Sequence, residues 1–364
     1  MKILIASSYA DSWNSVRPEA EIFIQMAKSG HTVTIVTQAA SEYVPRFLKH
    51  GIKIINCYPK HKICWQTIKT IRNELVQSDY DIVYAMTSRT IPNAAFACSN
   101  LPVKLVTYRG TMGGLSRYDP SAYLTHLHPR VDGIICIADA VKEVVQKQVW
   151  IAKDKVATVY KGHDLAWYEI PMADLNEFAI NNDDFVAICV ANARPIKGIE
   201  VLLEASHLLA KHDKLHFLFI GKNFDKEPYT SLIAASPMKK RIHVAGYRND
   251  VPELVAASNL IVLPSLADEG LPKTVIEGMA LSIPSVVTTA GGCKELVVNN
   301  QTGFVVSPGN ARELAEKIST LIMDRNKAES MGLAARKRVQ EAFTLEKSVT
   351  EHLAFFSGLL SKDK

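Results

Sequence analysis

Short apolar runs alternate with helical patterns along almost the whole chain, and this alternation limits the possible fold more than any other feature. The first run covers residues 2–6, a helical pattern with one apolar face covers 19–28, and the next run covers 33–37. Further runs follow at residues 52–55, 82–85, 103–107, 133–137 and 156–160. Alternating strands and helices form parallel sheets covered by helices on both faces, so this half of the chain predicts a doubly wound α/β domain.

A second series of the same kind begins after a polar linker at residues 164–184. Its predicted strands cover residues 185–190, 217–220, 242–244, 260–263 and 284–287. A chain of 364 residues is too long for one ordinary core and has the right size for two domains. The sequence therefore predicts two Rossmann-like domains, each of which binds ligands at the carboxyl ends of its strands.

One stretch of the second series, residues 267–295, combines a strand end, a polar loop, a helix and a glycine turn. The loop carries Glu269 and Gly270, and Glu277 lies about two turns along the helix that follows. A helix that opens behind a strand end presents unpaired N–H groups and a positive dipole end, which suit a phosphate. Two carboxylates beside such a site suit the hydroxyl groups of a nucleotide-sugar. The alternative, for either glutamate alone, is an ordinary solvated charge.

The composition is typical of an enzyme from a reducing compartment. Hydrophobic residues make up 48% of the chain and charged residues 22%, as in a globular protein. The apolar start is too short for a signal peptide, and no apolar run approaches the length of a membrane span. The six cysteines are scattered without a CxxC motif and the histidines do not cluster, which argues against zinc and against disulfides. We therefore expect a cytoplasmic protein without a metal.

Positive charge is concentrated in the first half of the chain, although the net charge of the whole chain is only +5. One basic segment has no acidic residue between its members, which are Arg46, Lys49, Lys53, Lys60, Lys62, Lys69 and Arg72. Such a segment forms either a solvated basic surface or a patch for an anionic membrane surface or an acidic acceptor. Both interpretations stay open from the sequence. No nucleic-acid partner is predicted.

The stretch PSLADEGLPKTVIEGMALSIPSVVTTAGGCKELV, in which seven residues separate Glu269 from Glu277, resembles the signature of the retaining glycosyltransferase family 4. The resemblance covers most of residues 185–345 and extends to the first half only in outline. It implies the GT-B fold, α/β with two facing Rossmann-like doubly wound domains and a cleft between them. Residues 1–163, with a closing helix at 345–364, would then bind the acceptor. Residues 164–344 would bind a nucleotide-sugar donor.

The resemblance also implies roles for individual residues of the second half. Arg194, Lys197 and Glu269 would form the catalytic set, with the two cations on the donor diphosphate and Glu269 on a sugar hydroxyl. Only two residues separate Arg194 from Lys197, where many members of the family have four. Fixed cations at a departing diphosphate stabilise the charge that develops there. Glu277 would bind the ribose hydroxyls. The other predicted donor contacts are Gly221, Tyr247, Arg248, Gly270, Leu271, Pro272 and Lys273.

The predicted acceptor residues lie in the first half. They are Arg17 and Glu19, near the first strand, and Arg109, after the strand at 103–107. Arg109 stands where many members of the family carry a histidine, so no catalytic histidine is transferred to this chain. It would bind an anionic acceptor or the phosphate, or else pair with a nearby acid. His126 and His128 lie in a polar segment and are predicted to be surface histidines.

The predicted function is a metal-independent retaining glycosyltransferase without a cofactor. It would move a hexose-type sugar from a UDP-, GDP- or ADP-linked donor to a hydroxyl of a glycan or glycolipid. The basic first half indicates an acceptor of the lipopolysaccharide type, with the protein peripheral to the inner face of the membrane. Two alternatives remain, a nucleotide-sugar epimerase of the same fold and a catalytically silent nucleotide-sugar-binding partner.

Overall fold

The chain folds into two compact units in the computed structural model, which describes residues 1–361. The first unit comprises Met1–Gly162 together with the C-terminal stretch that begins at Phe343, and the second comprises His163–Ala342. These divisions fall within two residues of the boundaries expected from the sequence. Of the helix predicted at 345–364, the last three residues lie outside the described residues.

The first unit is built on a parallel sheet. Its strands are β1 (Lys2–Ala6), β2 (Thr32–Thr37), β3 (Lys53–Asn56), β4 (Ile82–Ala85), β5 (Lys104–Arg109), β6 (Gly133–Cys136) and β7 (Val156–Thr158). Within the described residues they form one seven-stranded sheet in the order β3-β2-β1-β4-β5-β6-β7, with Leu4 of β1 paired to Thr34 and Val83 on its two sides. The central strands are buried on both faces, which is why they read as continuous apolar runs in the sequence.

Five helices of the first unit precede its connection to the second. They are α1 (Trp13–Lys28), α2 (Val44–Lys49), α3 (Trp65–Gln77), α4 (Thr90–Ala97) and α5 (Asp139–Gln148) in the described part of the chain. The expected start of α1 at residue 19 is wrong, because the helix begins at Trp13. Pro18, a residue type that favours the first turn of a helix, lies inside α1, and Ser15 and Val16 already donate backbone hydrogen bonds to Ser12. The Trp13 ring stacks on Tyr43, with ring centroids 4.1 Å apart.

The second unit has a parallel sheet of its own. Its strands are β8 (Phe185–Val190), β9 (Leu215–Ile220), β10 (Ile242–Gly246), β11 (Leu260–Leu263), β12 (Ser285–Thr288) and β13 (Gly303–Val306). Within the described residues they form a six-stranded sheet in the order β10-β9-β8-β11-β12-β13. The sequence analysis lacked β13, a four-residue edge strand that pairs with β12 from Ser285 to Thr288. The predicted fold class, two Rossmann-like domains, is confirmed.

The helices of the second unit cover both faces of its sheet. They are α6 (Ile199–Leu209), α7 (Tyr229–Ala235), α8 (Val251–Ala256), α9 (Lys273–Ala280), α10 (Cys293–Leu296), α11 (Ala311–Met323) and α12 (Arg325–Ala342), and the chain ends with α13 (Leu345–Ser361) in the first unit. A core of buried apolar side chains, with Phe185, Phe217 and Phe304 among the largest, fills the space between helices and sheet. Within residues 1–361, no helix is both long and apolar enough to cross a membrane.

Candidate active site

The connections that leave the carboxyl ends of β8, β9 and β11 carry most of the predicted donor residues. β8 leads into a short 3-10 helix at Pro195–Lys197, β9 leads into Gly221, and β11 leads into the loop that precedes α9. Two of these connections are joined directly, because the Leu266 N–H donates to the Ile196 carbonyl over 2.8 Å. Since β8 lies between β9 and β11, the three connections meet at one edge of this sheet.

Lys197 and Glu269 form an ion pair, although 72 residues separate them in sequence. The Glu269 side chain is only 8% exposed and the Lys197 side chain 18% exposed. The Ser265 hydroxyl donates a second hydrogen bond, 2.5 Å long, to the same carboxylate oxygen of Glu269. A buried carboxylate is costly without such partners. The structure therefore brings two of the three predicted catalytic residues into contact.

Two buried thiols lie close to this pair. Burial raises the pKa of Cys189 to about 12, and burial together with the charge of Glu269 raises the pKa of Cys293. Both thiols are therefore protonated at neutral pH. A thiol that does not ionise is a poor nucleophile, so neither cysteine is equipped for covalent catalysis beside Lys197.

Lys273 and Glu277 form a second ion pair within the first turns of α9, four residues apart. The Glu277 side chain is 7% exposed and that of Lys273 is 34% exposed. Gly278 follows Glu277 in α9, and a Cβ added to it would be 1.9 Å from the Cδ1 atom of Ile261. This glycine lets α9 pack closely on β11, which fixes the position of Glu277.

The loop before α9 leaves several backbone N–H groups without a partner. In the described structure, the N–H groups of Gly270, Leu271 and Lys273 donate no hydrogen bond, whereas the Gly292 N–H donates to the carbonyls of Glu269 and Gly270. Asp268 has a positive φ of 56°, and its conformation turns the chain into this loop. Unpaired N–H groups at the start of a helix are suited to an anion. The predicted contacts at Gly270–Lys273 are thus available for binding.

Two glycines allow neighbouring backbone segments to pack closely against each other at these loops. Gly221 has φ of +140°, and an added Cβ would be 2.1 Å from the Ala191 carbonyl oxygen. Gly198 has φ of +64°, and its Cβ would be 2.0 Å from the Pro264 carbonyl oxygen. Both conformations are strained for any other residue. Gly221 therefore serves the packing of the loop after β8.

The remaining predicted residues of the second unit are arranged differently. Arg194 is exposed and forms no ion pair with any described residue. Tyr247 is 59% exposed, and the Lys222 ammonium lies 5.1 Å from the centroid of its ring. The Arg248 guanidinium is occupied by ion pairs to Glu177, at 2.9 Å, and to Asp250, at 2.7 Å. The backbone near Arg248 stays available as a predicted donor contact, but its side chain is already paired.

The predicted acceptor residues of the first unit also have partners. Glu19 accepts hydrogen bonds from Ser7 and Lys161, each 2.8 Å long. Burial favours a neutral Lys161 amine, but the Glu19 carboxylate outweighs burial and raises the pKa of Lys161. Arg17 lies on the same helix, near the Glu21 carboxylate whose pKa it helps to lower. Glu19 is therefore part of a half-buried ion pair, a partnership that the sequence did not reveal.

Arg109 ends β5 and has no acidic partner within the described residues. Its guanidinium donates to the carbonyls of Thr111, over 2.9 Å, and Gly113. His126 lies nearby and is buried, with 5% exposure, so the prediction that it is a surface histidine is wrong. Burial, with a smaller effect from Arg109, lowers the pKa of His126 to about 3, and its Nδ1 is 2.9 Å from the Thr107 hydroxyl. A short 3-10 helix at Pro120–Leu124 carries His126 inward, which a polar sequence does not indicate.

The basic segment of the first unit is not a uniform surface. Arg46 forms a 2.5 Å ion pair with the buried Glu21, Lys53 pairs with Glu74 at 2.8 Å, and Arg72 donates to two backbone carbonyls. These three cations therefore already have partners within the first unit, although the Lys53 side chain is itself exposed. The exposed cations of the segment that form no ion pair with a described residue are Lys49, Lys60, Lys62 and Lys69.

Two family models match the chain and together span most of it. The model described as "Glycosyl transferases group 1" matches residues 173–338, and the model described as "Glycosyltransferase Family 4" matches residues 20–167. The two matches correspond to the second and first units.

Two curated relatives show the same likeness at low identity. N-acetyl-alpha-D-glucosaminyl L-malate synthase of Bacillus anthracis is 26% identical over 211 residues, which cover 57% of this chain and 55% of that protein. UDP-Gal:alpha-D-GlcNAc-diphosphoundecaprenol alpha-1,3-galactosyltransferase of Escherichia coli is 26% identical over 227 residues, which cover 59% of this chain and 57% of that protein. The chain thus matches little more than half the length of these relatives.

A solved structure matches over almost the full chain. Anabaena Alr3699/HepE in complex with UDP superposes with a TM-score of 0.81 at 20% identity, covering 98% of this chain and 100% of that one. This likeness, with the two Rossmann-like units, defines the GT-B fold. The chain belongs to glycosyltransferase family 4.

Proposed function

We propose that the protein is a retaining glycosyltransferase that transfers a hexose from a nucleotide-sugar to a hydroxyl group of a glycan or glycolipid. The observation that carries this proposal is the site in the second unit. There the ion pairs Lys197–Glu269 and Lys273–Glu277 accompany unpaired N–H groups at the start of α9. The names of the matched proteins support it, since the Escherichia coli relative takes UDP-galactose and the Anabaena structure contains UDP.

The positive groups of this site would hold the diphosphate of the donor. Lys197 is positioned by Glu269, and Arg194 is exposed and unpaired within the described residues, so both have N–H donors to offer. The N–H groups of Gly270, Leu271 and Lys273 would add fixed dipoles. As the bond between sugar and phosphate breaks, negative charge grows on the departing diphosphate. Donors that are already in place stabilise that charge, and each contributes a factor of about 100 to 1,000 in rate.

The carboxylates would bind hydroxyl groups rather than attack the sugar. The Glu269 oxygen that pairs with Lys197 also accepts from Ser265, which fixes its orientation and leaves its other oxygen for a sugar hydroxyl. Glu277, held by Lys273, would accept from the ribose hydroxyls. With no nucleophile from these residues, the acceptor attacks from the face that the diphosphate leaves. The acceptor hydroxyl proton passes to the departing phosphate oxygen, and the anomeric configuration is retained.

We propose that the transfer needs no metal ion, because the cations and N–H groups provide the positive charge at the diphosphate.

The acceptor is proposed to be a cell-envelope glycan or glycolipid, and the protein is proposed to contact an anionic membrane surface. Trp65 is 78% exposed and lies four residues before the exposed Lys69 on α3, so an aromatic ring and a cation share one helix face. Flotation with neutral and anionic vesicles tests this contact. Equal recovery with both kinds of vesicle would contradict it.

The transfer itself is tested with a panel of UDP-, GDP- and ADP-linked hexoses, glycan and glycolipid acceptors, and EDTA. We expect one donor to give a glycoside whose anomeric proton coupling matches that of the donor. Lys197→Met and Glu277→Gln should each lower the rate at least about 100-fold, whereas Lys239→Met, at an exposed lysine of the second unit, should not change it. An inverted product would contradict retention. Interconversion of the free donor without an acceptor would instead identify an epimerase.

A further inference from the structure

The first unit contains a cavity of about 360 Å³ that the donor site does not use. It lies beyond the carboxyl ends of β4 and β5, where Met86 and Arg109 contribute to its wall. The polar side chains around it are those of Lys62, Ser88, Tyr108, Arg109, Thr111, Ser121, Thr125 and His126. None of the described residues that line it is aspartate or glutamate. The cavity is thus lined by two cations and no acidic side chain.

Arg109 is fixed in this wall with part of its hydrogen-bonding capacity unused. Its Nε donates to the Thr111 carbonyl and one terminal nitrogen donates to the Gly113 carbonyl. A guanidinium has five N–H groups, so three remain. Burial lowers the pKa of Arg109, which reflects the cost of a charge that no described carboxylate offsets. A guanidinium held by backbone carbonyls presents a rigid fork that matches the oxygens of a phosphate or carboxylate.

The other polar groups of the cavity are compatible with an anion. His126 is neutral at physiological pH and has one ring N–H, which is Nε2–H when Nδ1 accepts a hydrogen bond from the Thr107 hydroxyl. An anion in the cavity would favour this tautomer, because Nε2 then donates. The cavity wall also includes Ser88 and Ile91 at the start of α4, the end of a helix that carries positive partial charge. Asp119 interacts electrostatically with Lys62, but it does not line the cavity, and its carboxylate accepts two hydrogen bonds from Ser121.

We propose that this cavity is an oxyanion subsite in which Arg109, Lys62 and His126 hold a phosphate or carboxylate group of the acceptor. The inference rests on the proposed transferase function in one respect, that the bound anion belongs to an acceptor. The anion-binding subsite itself is argued from the first unit alone. It makes an acidic acceptor the preferred substrate class. A neutral sugar would leave the Arg109 charge without a counter-ion and would bind more weakly.

Inorganic phosphate is the first probe, with hydrogen exchange of the full chain measured by mass spectrometry. Rising phosphate, compared with chloride at the same ionic strength, should slow exchange in peptides covering residues 107–126. Arg109→Gln should raise the half-saturating phosphate concentration by about tenfold or more, because it removes hydrogen bonds from a charged donor. Arg312→Gln, at an exposed arginine of the second unit, is the matched control and should behave as the unmodified protein. No protection at 107–126, or equal protection in Arg109→Gln, would overturn the proposal.

A second pair of variants covers the case in which Arg109→Gln does not fold. Lys62 is exposed, so Lys62→Gln should fold normally and still weaken phosphate protection, whereas Lys28→Gln, at another exposed lysine of the first unit, should not. Glycerol 3-phosphate and vesicles with phosphatidic acid then separate a free phosphate from one carried by a lipid. Protection by either supports the subsite and identifies its source, and protection by neither contradicts it. Protection of residues 265–280 by nucleotides is read in the same experiment, so failure of the donor site and failure of this subsite are distinguishable.

Discussion

Replacing Lys197 with methionine should destabilise the second unit, because the change leaves the buried Glu269 carboxylate without its cation. Glu269 would keep only its hydrogen bond from Ser265, with a side chain that is 8% exposed. Removing one partner of a buried ion pair typically costs about 3–5 kcal/mol. Since the Lys197 side chain is 18% exposed, water screens part of the interaction, and we expect about 3 kcal/mol.

The double variant Lys197→Met/Glu269→Gln should recover most of this loss. It contains no unpaired buried charge, and the glutamine side chain still accepts from Ser265. We expect its stability to lie within about 1 kcal/mol of the unmodified protein. Both variants should be inactive, since each removes the cation at the diphosphate. Stability and activity therefore respond differently to the same pair of residues.

The assay is hydrogen exchange of the β8 amides, which report the opening free energy of the second unit separately from the first. Lys239→Met is the control, because Lys239 is exposed and a surface substitution changes stability by about 0.5 kcal/mol at most. If Lys197→Met costs no more than Lys239→Met, then Glu269 does not depend on Lys197 and the electrostatic account of the site is refuted.

Three further predictions concern the glycines and a buried histidine. Gly221→Ala should cost more than about 3 kcal/mol, since it adds a backbone clash to an unfavourable φ, whereas Gly309→Ala, with φ of +76° and open space, should cost about 1 kcal/mol in urea unfolding. Gly278→Ala should lower the melting temperature, and adding Ile261→Val should restore part of the loss by removing the Cδ1 atom; an additive double variant would contradict this contact. Burial lowers the pKa of His126 to about 3 in the folded chain, against about 6.5 in the unfolded chain. Below pH 6.5 the unfolded chain therefore binds a proton that the folded chain does not bind, and the free energy of unfolding falls. His126→Asn should remove about 1.5 kcal/mol of the loss between pH 6.5 and 5 in urea unfolding, and an unchanged loss would show that His126 is not the group responsible.

The sheet architecture could be predicted from the sequence because strands buried on both faces leave continuous apolar runs. The strands β4, β8 and β11 coincide with the predicted runs. The prediction lacked β13, which lies at the sheet edge and has only four residues, and it began α1 six residues too late. A short edge strand leaves little periodic signal, and Pro18 inside α1 is typical of a helix start rather than of a second turn.

The site could be predicted only where its residues are close in sequence or match the family motif. The pair Lys273–Glu277 is visible from its spacing, since residues four apart share a helix face. Lys197 and Glu269 lie 72 residues apart, and Glu19 and Lys161 lie 142 residues apart, so tertiary structure alone brings each pair together. The family resemblance placed Lys197 and Glu269 in one catalytic set but did not predict that they form an ion pair. Nothing in the sequence indicated that Glu19 pairs with Lys161.

The central claim is that the second unit binds a nucleotide through Glu277 without a metal. Isothermal titration calorimetry with UDP, GDP and ADP, in the presence of EDTA, tests it most directly. The account predicts that at least one nucleotide binds and that Glu277→Gln weakens its affinity about tenfold or more, through the lost hydrogen bonds to a charged group. Glu316→Gln, at an exposed glutamate of α11, should leave the affinity unchanged. Absence of binding by all three nucleotides, or equal affinity in Glu277→Gln, would contradict the account.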